Sequence, residues 1–468
     1  MKTSRRILKN IFSLTIAEAA NKGILLITAA YLSRVILPEG FGIFGFASAF
    51  VIYFLVVSNF GFTTVGIREI ARSSGDSSKY INAVFTIRLI ISILSILALV
   101  ISVLLMDKTA IVKLTLLVSG ISIISNALLL DWIFQALERM EILAIRQVVT
   151  SILTLLGTIV FVHSQSDVVI AMLVMSLSAL LNAIWVMIYY LKAVGKIKLS
   201  YNEQVWKFIL SASLPIGATS LLVAIYNNLH LVLLGFLRSD YDTGIYNAAM
   251  KILVVIILPS TIIQNVFFPV LSRAFSGEDR QKIIRKYSTL LFIIGAYFSL
   301  FFFTFSEPVV CIAFGPKFND TATVLKILMV TTILMYTNVS MLAPLMAWDR
   351  EKQVMYASTA GAFASILLNF ILIPHFGFIG AAITSIACEA LVLAGFTIYI
   401  YRAIKKLYFL DLLKIILLSV LAFLPSYVLL HFEAHWIYCA VISTFLFILI
   451  IQLFKIVTIK ELKGYFTK

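Results

Sequence analysis

The amino-acid sequence predicts an all-α polytopic membrane protein with about fourteen transmembrane helices, since each span needs roughly 20 apolar residues to cross the hydrocarbon core. Hydrophobic residues make up 61% of the chain and charged residues only 13%, about half the charged fraction of a soluble domain. The apolar residues fall into separate long stretches. The predicted spans are 11–32, 41–66, 81–106, 111–131, 142–162, 168–191, 208–237, 244–271, 288–313, 322–347, 353–373, 377–401, 410–431 and 436–457.

Lysine and arginine are unevenly distributed over the connections between these spans. Of 37 Lys and Arg residues, 28 lie in the terminal segments and in every second connection, whereas only 5 lie in the alternate connections. Basic loops stay on the cytoplasmic side, so the pattern predicts that both termini are cytoplasmic. The same asymmetry accounts for the net charge of +15, and a nucleic-acid partner is not needed to explain it.

Two short matches within the chain indicate an internal repeat. The segment FGIFGFASAF at 41–50 is similar to TGIYNAAMKI at 243–252, which gives an offset of 202 residues. The segment FQALER at 134–139 is similar to LMAWDR at 345–350, with an offset of 211 residues. Six predicted spans separate the members of each pair. Because six is even, the two halves have the same orientation in the membrane.

The repeat predicts how the chain is organised. We expect two parallel six-helix lobes at 1–195 and 196–402, followed by two additional transmembrane helices at 403–468. Parallel repeats of this kind are typical of transporters, which bind substrate between the halves near the bilayer midplane. A duplicated scaffold without a transport role is the alternative interpretation.

Three segments carry a resemblance to a known family. They are YLSRVILPEGFGIFGFASAF from residue 31, FGFTTVGIREIARSSGD from residue 60, and DWIFQALERMEILAIRQV from residue 131. Together they resemble the Wzx-type polysaccharide flippases of the multidrug/oligosaccharidyl-lipid/polysaccharide (MOP) exporter superfamily. The chain departs from the common family pattern at Ile36-Leu37, where Leu-Gly usually precedes Pro-Glu.

The resemblance implies a fold, a substrate and a location. The fold is similar to that of the MATE transporters, with two six-helix lobes around a central cavity. The activity is the transfer of undecaprenyl-pyrophosphate-linked oligosaccharide units, such as O-antigen units of lipopolysaccharide, from the cytoplasmic to the outer leaflet of the bacterial inner membrane. A proton or sodium gradient drives antiport in this family, and the other polysaccharide assembly proteins are possible partners, together with membrane lipid.

Ionisable residues within the spans are the candidate functional groups, because charges at this depth face a bundle interior or a hydrated cavity. Lys22, Arg88 and Lys251 are the candidate cations for an anionic substrate. Glu18 and Glu389 are the candidate carboxylates for a coupling ion, H⁺ or Na⁺. A carboxylate near the middle of a span cannot reach the headgroups, and it must therefore be protonated, paired or hydrated.

Each of these residues also has a structural interpretation. Glu18 and Lys22 are four residues apart, so they can form a local pair on one helix face. Arg88 and Lys251 are long enough to extend to the headgroups. Glu389 can serve as a static partner for Lys22. The sequence leaves both interpretations open for every one of them.

Uncharged polar residues recur in the same spans. A sugar would need hydrogen-bonding groups of this kind in its cavity, although hydrogen bonds between helices explain them equally well. The candidates are Asn21, Asn227, Asn228, Asn265 and Asn338. The three cysteines have no paired spacing, so we expect neither a disulfide framework nor a metal site. Apart from the coupling ion, no cofactor is expected.

Three other functions are compatible with part of this pattern. A multidrug exporter of the same superfamily would share the fold, but its cavity should favour acidic residues. A lipid II flippase would share both the fold and a basic cavity. A membrane enzyme that polymerises the same sugars would need clustered catalytic groups, and the longest predicted outward connection, 306–321, contains no recognisable base and nucleophile. We therefore expect a transporter rather than an enzyme.

Overall fold

The computed structural model of the protein describes residues 2–73, 77–273 and 278–454, with side chains from residue 16 onward except at 278–279, and these residues form helices and the segments that connect them. Two short 3-10 turns, Gln165–Asp167 and Pro316–Phe318, precede long helices. The helices are α1 (Lys2–Asn59), α2 (Phe62–Arg72), α3 (Ser78–Leu105), α4 (Ala110–Ser119), α5 (Ile121–Leu128), α6 (Asp131–Ala136), α7 (Met140–Phe161), α8 (Val168–Ala193), α9 (Glu203–Leu237), α10 (Asp240–Arg273), α11 (Glu278–Thr304), α12 (Ser306–Phe314), α13 (Asn319–Ala347), α14 (Glu351–Ile404), α15 (Phe409–His431) and α16 (Trp436–Leu453).

The number of spans agrees with the sequence. Twelve helical segments in the described residues are long and apolar enough to cross a membrane, and two of these, 16–72 and 351–404, contain 57 and 54 residues. A straight helix of that length would measure about 80 Å, far more than the hydrocarbon thickness of about 30 Å. Each is bent near its middle, at Leu37 (φ 60°) and at Gly377 (φ 54°). Counting each bent helix as two spans gives fourteen.

The observed connections at these bends are much shorter than the sequence predicts. The sequence suggests a loop at 33–40 and another at 374–376, but the helix continues on both sides of a single non-helical residue. Pro38 and Pro374 remove a backbone donor next to the bends, and one residue outside the helical region is enough to turn the chain. The predicted span 111–131, in contrast, is not one continuous helix, because it is divided into α4 and α5 and its last residue begins α6.

Packing divides the chain into two compact units, residues 1–248 and 249–468. In the first unit, α9 packs against α1, α2 and α3, so this unit extends beyond the predicted lobe boundary at residue 195. One buried cluster of this unit includes Trp132 and Phe134. The predicted lobes follow from the repeat rather than from packing, and they stay a prediction.

The described residues of the second unit contain three apolar clusters, of which two are large. One surrounds Tyr287, Tyr336 and Trp348, on helices α11 and α13 and the segment that follows α13. The other joins the C-terminal helices to α11 and includes Phe423 of α15 and Phe447 of α16. These two helices are the additional pair predicted at 403–468, of which residues 455–468 lie outside the described part of the chain.

The second repeated segment forms the same turn in both copies. The N–H of Arg139 donates to the carbonyl of Phe134 at 2.9 Å, and the N–H of Arg350 donates to the carbonyl of Leu345 at 3.0 Å. In both copies the residue before the arginine has a positive φ, 58° and 55° respectively. This is the hydrogen-bonding pattern that ends a helix in a Schellman motif. The backbone therefore repeats at the same offset of 211 residues as the sequence.

Candidate functional site

The first pair of intramembrane charges lies on one face of α1. Lys22 Nζ lies 3.1 Å from Glu18 Oε1, one helical turn away, and the two side chains are 27% and 43% exposed. Asn21 next to them is partly exposed. The pair is thus accessible rather than enclosed in dry packing, and each charge has a partner on its own helix. Charged groups within a span rarely face lipid, so this face of α1 is the candidate lining of a hydrated cavity.

Arg88 occupies a different environment from Lys22. It lies on α3 and is only 2% exposed. Its Nη1 donates to the carbonyl of Leu129 at 3.0 Å, while Nη2 donates to the Asn126 side-chain Oδ1 at 3.0 Å and to the Asn126 backbone carbonyl. The guanidinium thus donates to the Leu129 carbonyl just after α5 and adds a second donor to the Asn126 carbonyl, which also accepts from the Leu129 N–H. Arg88 therefore stabilises the backbone between α5 and α6. Its contact with substrate, which the sequence suggests, stays a prediction.

A polar network that the sequence did not reveal lies at the other side of this break. Arg146 Nη2 of α7 lies 3.2 Å from Asp131 Oδ2 at the start of α6, and the two side chains are 19% and 27% exposed. The buried Asn182 of α8 donates from Nδ2 to the carbonyl of Arg146 at 3.3 Å. The family-like segment beginning at residue 131 contains both members of the ion pair, so it joins three helices of the first unit.

Lys251 is the candidate cation of the second unit. It lies on α10, two residues after the start of that unit, and is partly buried. No hydrogen bond or ion pair involves its ammonium group in the described residues. A buried ammonium without a partner is costly, so this position favours an anionic group or water near Lys251.

Two predicted residues of the second unit meet directly. Asn338 of α13 donates from Nδ2 to Glu389 Oε2 of α14 at 2.6 Å and to the Glu389 backbone carbonyl at 3.1 Å. Asn338 is only 6% exposed. A single amide group therefore fixes both the carboxylate and the backbone of Glu389. The sequence offered both residues as candidates, but it contained no signal that they were partners.

The other amide candidates are less closely connected. Asn228 donates to the carbonyl of Ala224 on its own helix at 3.0 Å. Asn227 and Asn265 are exposed. The buried His230, three residues after Asn227, packs its ring 5.5 Å from that of Tyr246. Among the ten predicted residues, the structure thus shows two direct pairs, Glu18 with Lys22 and Asn338 with Glu389.

These features define a polytopic membrane protein that carries charged and amide groups within its spans. The sequence model of the family described as "Polysaccharide biosynthesis protein" matches residues 7–275, more than half of the chain. The chain therefore belongs to this family. It is 26% identical over 395 residues to a "Putative O-antigen transporter" of Escherichia coli (strain K12), an alignment that covers 82% of this chain and 94% of that protein.

Solved structures share the fold. The lipid II flippase MurJ in an inward closed conformation aligns with a TM-score of 0.77 and 13% identity, covering 94% of this chain and 98% of that one. A multidrug resistance MATE family transporter of the MOP superfamily, in an inward-facing conformation, aligns with a TM-score of 0.64 and 15% identity, covering 85% and 99%. These similarities confirm the predicted MATE-like fold. At such low identity they show the fold alone.

Proposed function

We propose that this protein is a flippase that moves undecaprenyl-pyrophosphate-linked oligosaccharide units from the cytoplasmic to the outer leaflet by alternating access. The bacterial inner membrane is its proposed location, with both termini in the cytoplasm. The observation that carries the proposal is the alignment with a relative named as an O-antigen transporter, which extends over 94% of that protein. Relatives named as transporters also support a role in transport rather than in catalysis.

Lys22 is the proposed contact for the anionic part of the substrate. Its ammonium group has three N–H donors, and the pair with Glu18 at 3.1 Å occupies one direction only. The pyrophosphate or an acidic sugar can therefore bind Lys22 without displacing Glu18. Because the pair is partly exposed, this contact requires no prior unpacking of the first unit. Lys251 is proposed to extend the same positive potential within the second unit.

Glu389 is the proposed site of ion coupling. The Asn338 amide holds its carboxylate at 2.6 Å, so binding of H⁺ or Na⁺ changes the charge on the group that links α13 to α14. Such a change alters the strength of that hydrogen bond, since hydrogen bonds to ionised acceptors are roughly twice as strong as neutral ones. The ion gradient would act on the packing of these two helices through this contact.

The proposed function can be tested in cells that depend on this gene for surface polysaccharide. Lys22→Ala should lower surface polysaccharide and cause the lipid-linked unit to accumulate on the cytoplasmic side, whereas Lys22→Arg should retain part of the activity. Lys326→Ala is the matched control, because Lys326 forms a similar exposed pair with Glu307 at 2.7 Å. Normal polysaccharide in Lys22→Ala cells, at equal protein levels, would exclude Lys22 from the mechanism.

A lipid II flippase is the second candidate, because such a protein shares this fold and would also need a basic cavity. The two functions differ in cargo and can be separated by complementation. We expect the protein to restore surface polysaccharide in cells that lack their polysaccharide flippase and to fail in cells depleted of their lipid II flippase. Rescue of the second strain, but not of the first, would reverse the assignment.

A further inference from the structure

A shallow cavity opens in the second unit where α14 ends and α15 begins. Residues of α11, α13, the end of α14, the connection that follows it and the start of α15 form its wall. Its volume is about 310 Å³, with the space at the open mouth included. Most of the wall is apolar, and this part consists of Ile284, Phe292, Met341, Ile400, Leu407 and Phe409. Such a surface favours contact with a hydrocarbon group over contact with water.

The connection between the two helices leaves a run of backbone donors free. Lys405 ends α14 with a φ of 55°, and its N–H donates to the Tyr401 carbonyl at 2.9 Å. After it, the N–H groups of residues 406–411 form no hydrogen bond within the part of the chain that the structure describes. No side chain caps the start of α15. This 23-residue helix therefore presents free N–H groups and the positive end of its dipole.

Two side chains in the cavity wall also lack a partner. Ser288 of α11 is 3% exposed, and its hydroxyl group forms no hydrogen bond among the described residues. A buried hydroxyl group without a partner is costly, so an acceptor atom in the cavity would stabilise it. Lys406 lies in the connection, is exposed at the mouth, and has no ion pair or hydrogen bond to any described residue. The polar groups left free at the cavity are thus hydrogen-bond donors, and one of them carries a positive charge.

The acidic residue at this end of α15 is already neutralised. Asp411 is the acidic residue of the first turn. Arg285 of α11 binds both of its carboxylate oxygens, with Nε at 2.8 Å and Nη2 at 3.0 Å. A bidentate pair of this kind is strong and geometrically specific. It compensates the carboxylate charge and fixes α15 against α11, two of the elements that form the wall.

We propose that this cavity binds an anionic phospholipid of the cytoplasmic leaflet. Its phosphate binds Lys406 and the free N–H groups at the start of α15, and its apolar part covers the wall. Helix N-termini are general binding sites for phosphate groups. The connection 402–409 faces the cytoplasm in the predicted topology, and the cytoplasmic leaflet is rich in anionic lipids. A free phosphate would leave the apolar wall in contact with water, so the wall favours a lipid.

The inference goes beyond the proposed flippase function and holds for any cargo. None of the residues that we propose for cargo or for the coupling ion lines this cavity. A lipid bound here would connect the end of α14 to the start of α15. It would therefore stabilise the attachment of the C-terminal pair of helices to the rest of the second unit.

Lipid titration of the purified full-length protein in detergent tests the site. The ligands are phosphatidylglycerol, phosphatidylcholine and soluble glycerol 3-phosphate, and native mass spectrometry counts the lipids bound to each chain. We expect phosphatidylglycerol to bind about tenfold more tightly than phosphatidylcholine, and glycerol 3-phosphate not to displace it. Equal affinities for the two lipids would overturn the proposal. Displacement by glycerol 3-phosphate would overturn the choice of a lipid over a free phosphate.

Charge variants locate the bound lipid. Lys406→Gln should weaken phosphatidylglycerol binding roughly tenfold, because it removes a charged hydrogen-bond donor. Lys405→Gln is the matched control, since it removes the same charge from the neighbouring residue, which does not line the cavity. Equal losses in the two variants would show only attraction to a basic surface and would overturn the site. Both lysines are exposed, so neither change disturbs the core.

A second pair of variants tests the wall of the cavity. Ser288→Ala should weaken phosphatidylglycerol binding, because the free hydroxyl group is lost. Ser340→Ala is the control, because Ser340 also lines the cavity but already donates to the carbonyl of Thr337 at 2.7 Å. A ligand that binds only the folded protein raises its unfolding temperature. Phosphatidylglycerol should therefore raise that temperature in the unmodified protein and in both controls, and an equal rise in Lys406→Gln would contradict the site.

Discussion

Replacing Arg88 with methionine should destabilise the first unit, because its guanidinium supplies the donors for buried carbonyls at the end of α5. The side chain is 2% exposed, and it bonds the Leu129 carbonyl and both oxygens of Asn126. A buried acceptor that loses its partner costs about 1–3 kcal/mol. Asn126 can reorient its amide, and its backbone carbonyl still accepts from the Leu129 N–H at 3.2 Å, so the Leu129 carbonyl is the acceptor that loses its donor. Removal of a buried charge offsets part of this loss, and we therefore expect a destabilisation of about 1–3 kcal/mol.

The assay is thermal unfolding of purified protein in detergent, at one scan rate and followed by tryptophan fluorescence. We expect Arg88→Met to unfold at a clearly lower temperature and Arg88→Lys at an intermediate one, because lysine keeps the charge but not the planar fork. Arg72→Met is the control, since Arg72 is 71% exposed. Unchanged unfolding of Arg88→Met together with lost export would refute the structural interpretation and return Arg88 to the substrate-binding cations.

Three further predictions concern other parts of the molecule. Glu389→Gln should make export insensitive to collapse of the proton or sodium gradient, and export that still follows the gradient would exclude Glu389 from coupling. Asn338→Leu should weaken the dependence of export on the ion gradient. Asn338→Asp should change how export varies with external pH, and a pH profile identical to that of the unmodified protein would contradict the contact between Asn338 and Glu389. Gly42→Ala should abolish export, because a Cβ atom at this position would lie 1.8 Å from the carbonyl oxygen of Asp240. Gly23→Ala, where a Cβ meets nothing within 4 Å, should raise stability by up to about 1 kcal/mol in a thermal-unfolding assay. Normal export by Gly42→Ala would contradict this close backbone contact.

The spans were predictable because the bilayer imposes a length and an apolar composition on each of them. Their exact connections were not, since one residue at Leu37 or Gly377 turns a helix that hydropathy divides into two spans and a loop. Pro38 indicated that the chain bends there, but a proline does not specify how many residues leave the helix. The fold class is confirmed, and the errors lie in the connections.

The sequence identifies candidate residues, whose roles stay a prediction, but not the contacts between residues on different helices. The spacing of Glu18 and Lys22 places them on one face of a helix, and the pair forms as that spacing allows. Asn338 and Glu389 lie on different helices, 51 residues apart, and helical periodicity carries no information about which faces of two helices meet. For the same reason, the sequence could not reveal that Arg88 holds the carbonyls at the end of α5.

The central claim is best tested with purified protein in vesicles that contain undecaprenyl-pyrophosphate-linked oligosaccharide. Transfer between leaflets is measured as the fraction of sugar that becomes accessible to an external glycosidase or lectin under an imposed ion gradient. We predict transfer that requires the protein, slows in Lys22→Ala and is unaffected in Lys326→Ala. Transfer no faster than in protein-free vesicles would contradict the account, as would equal rates for the unmodified protein and Lys22→Ala.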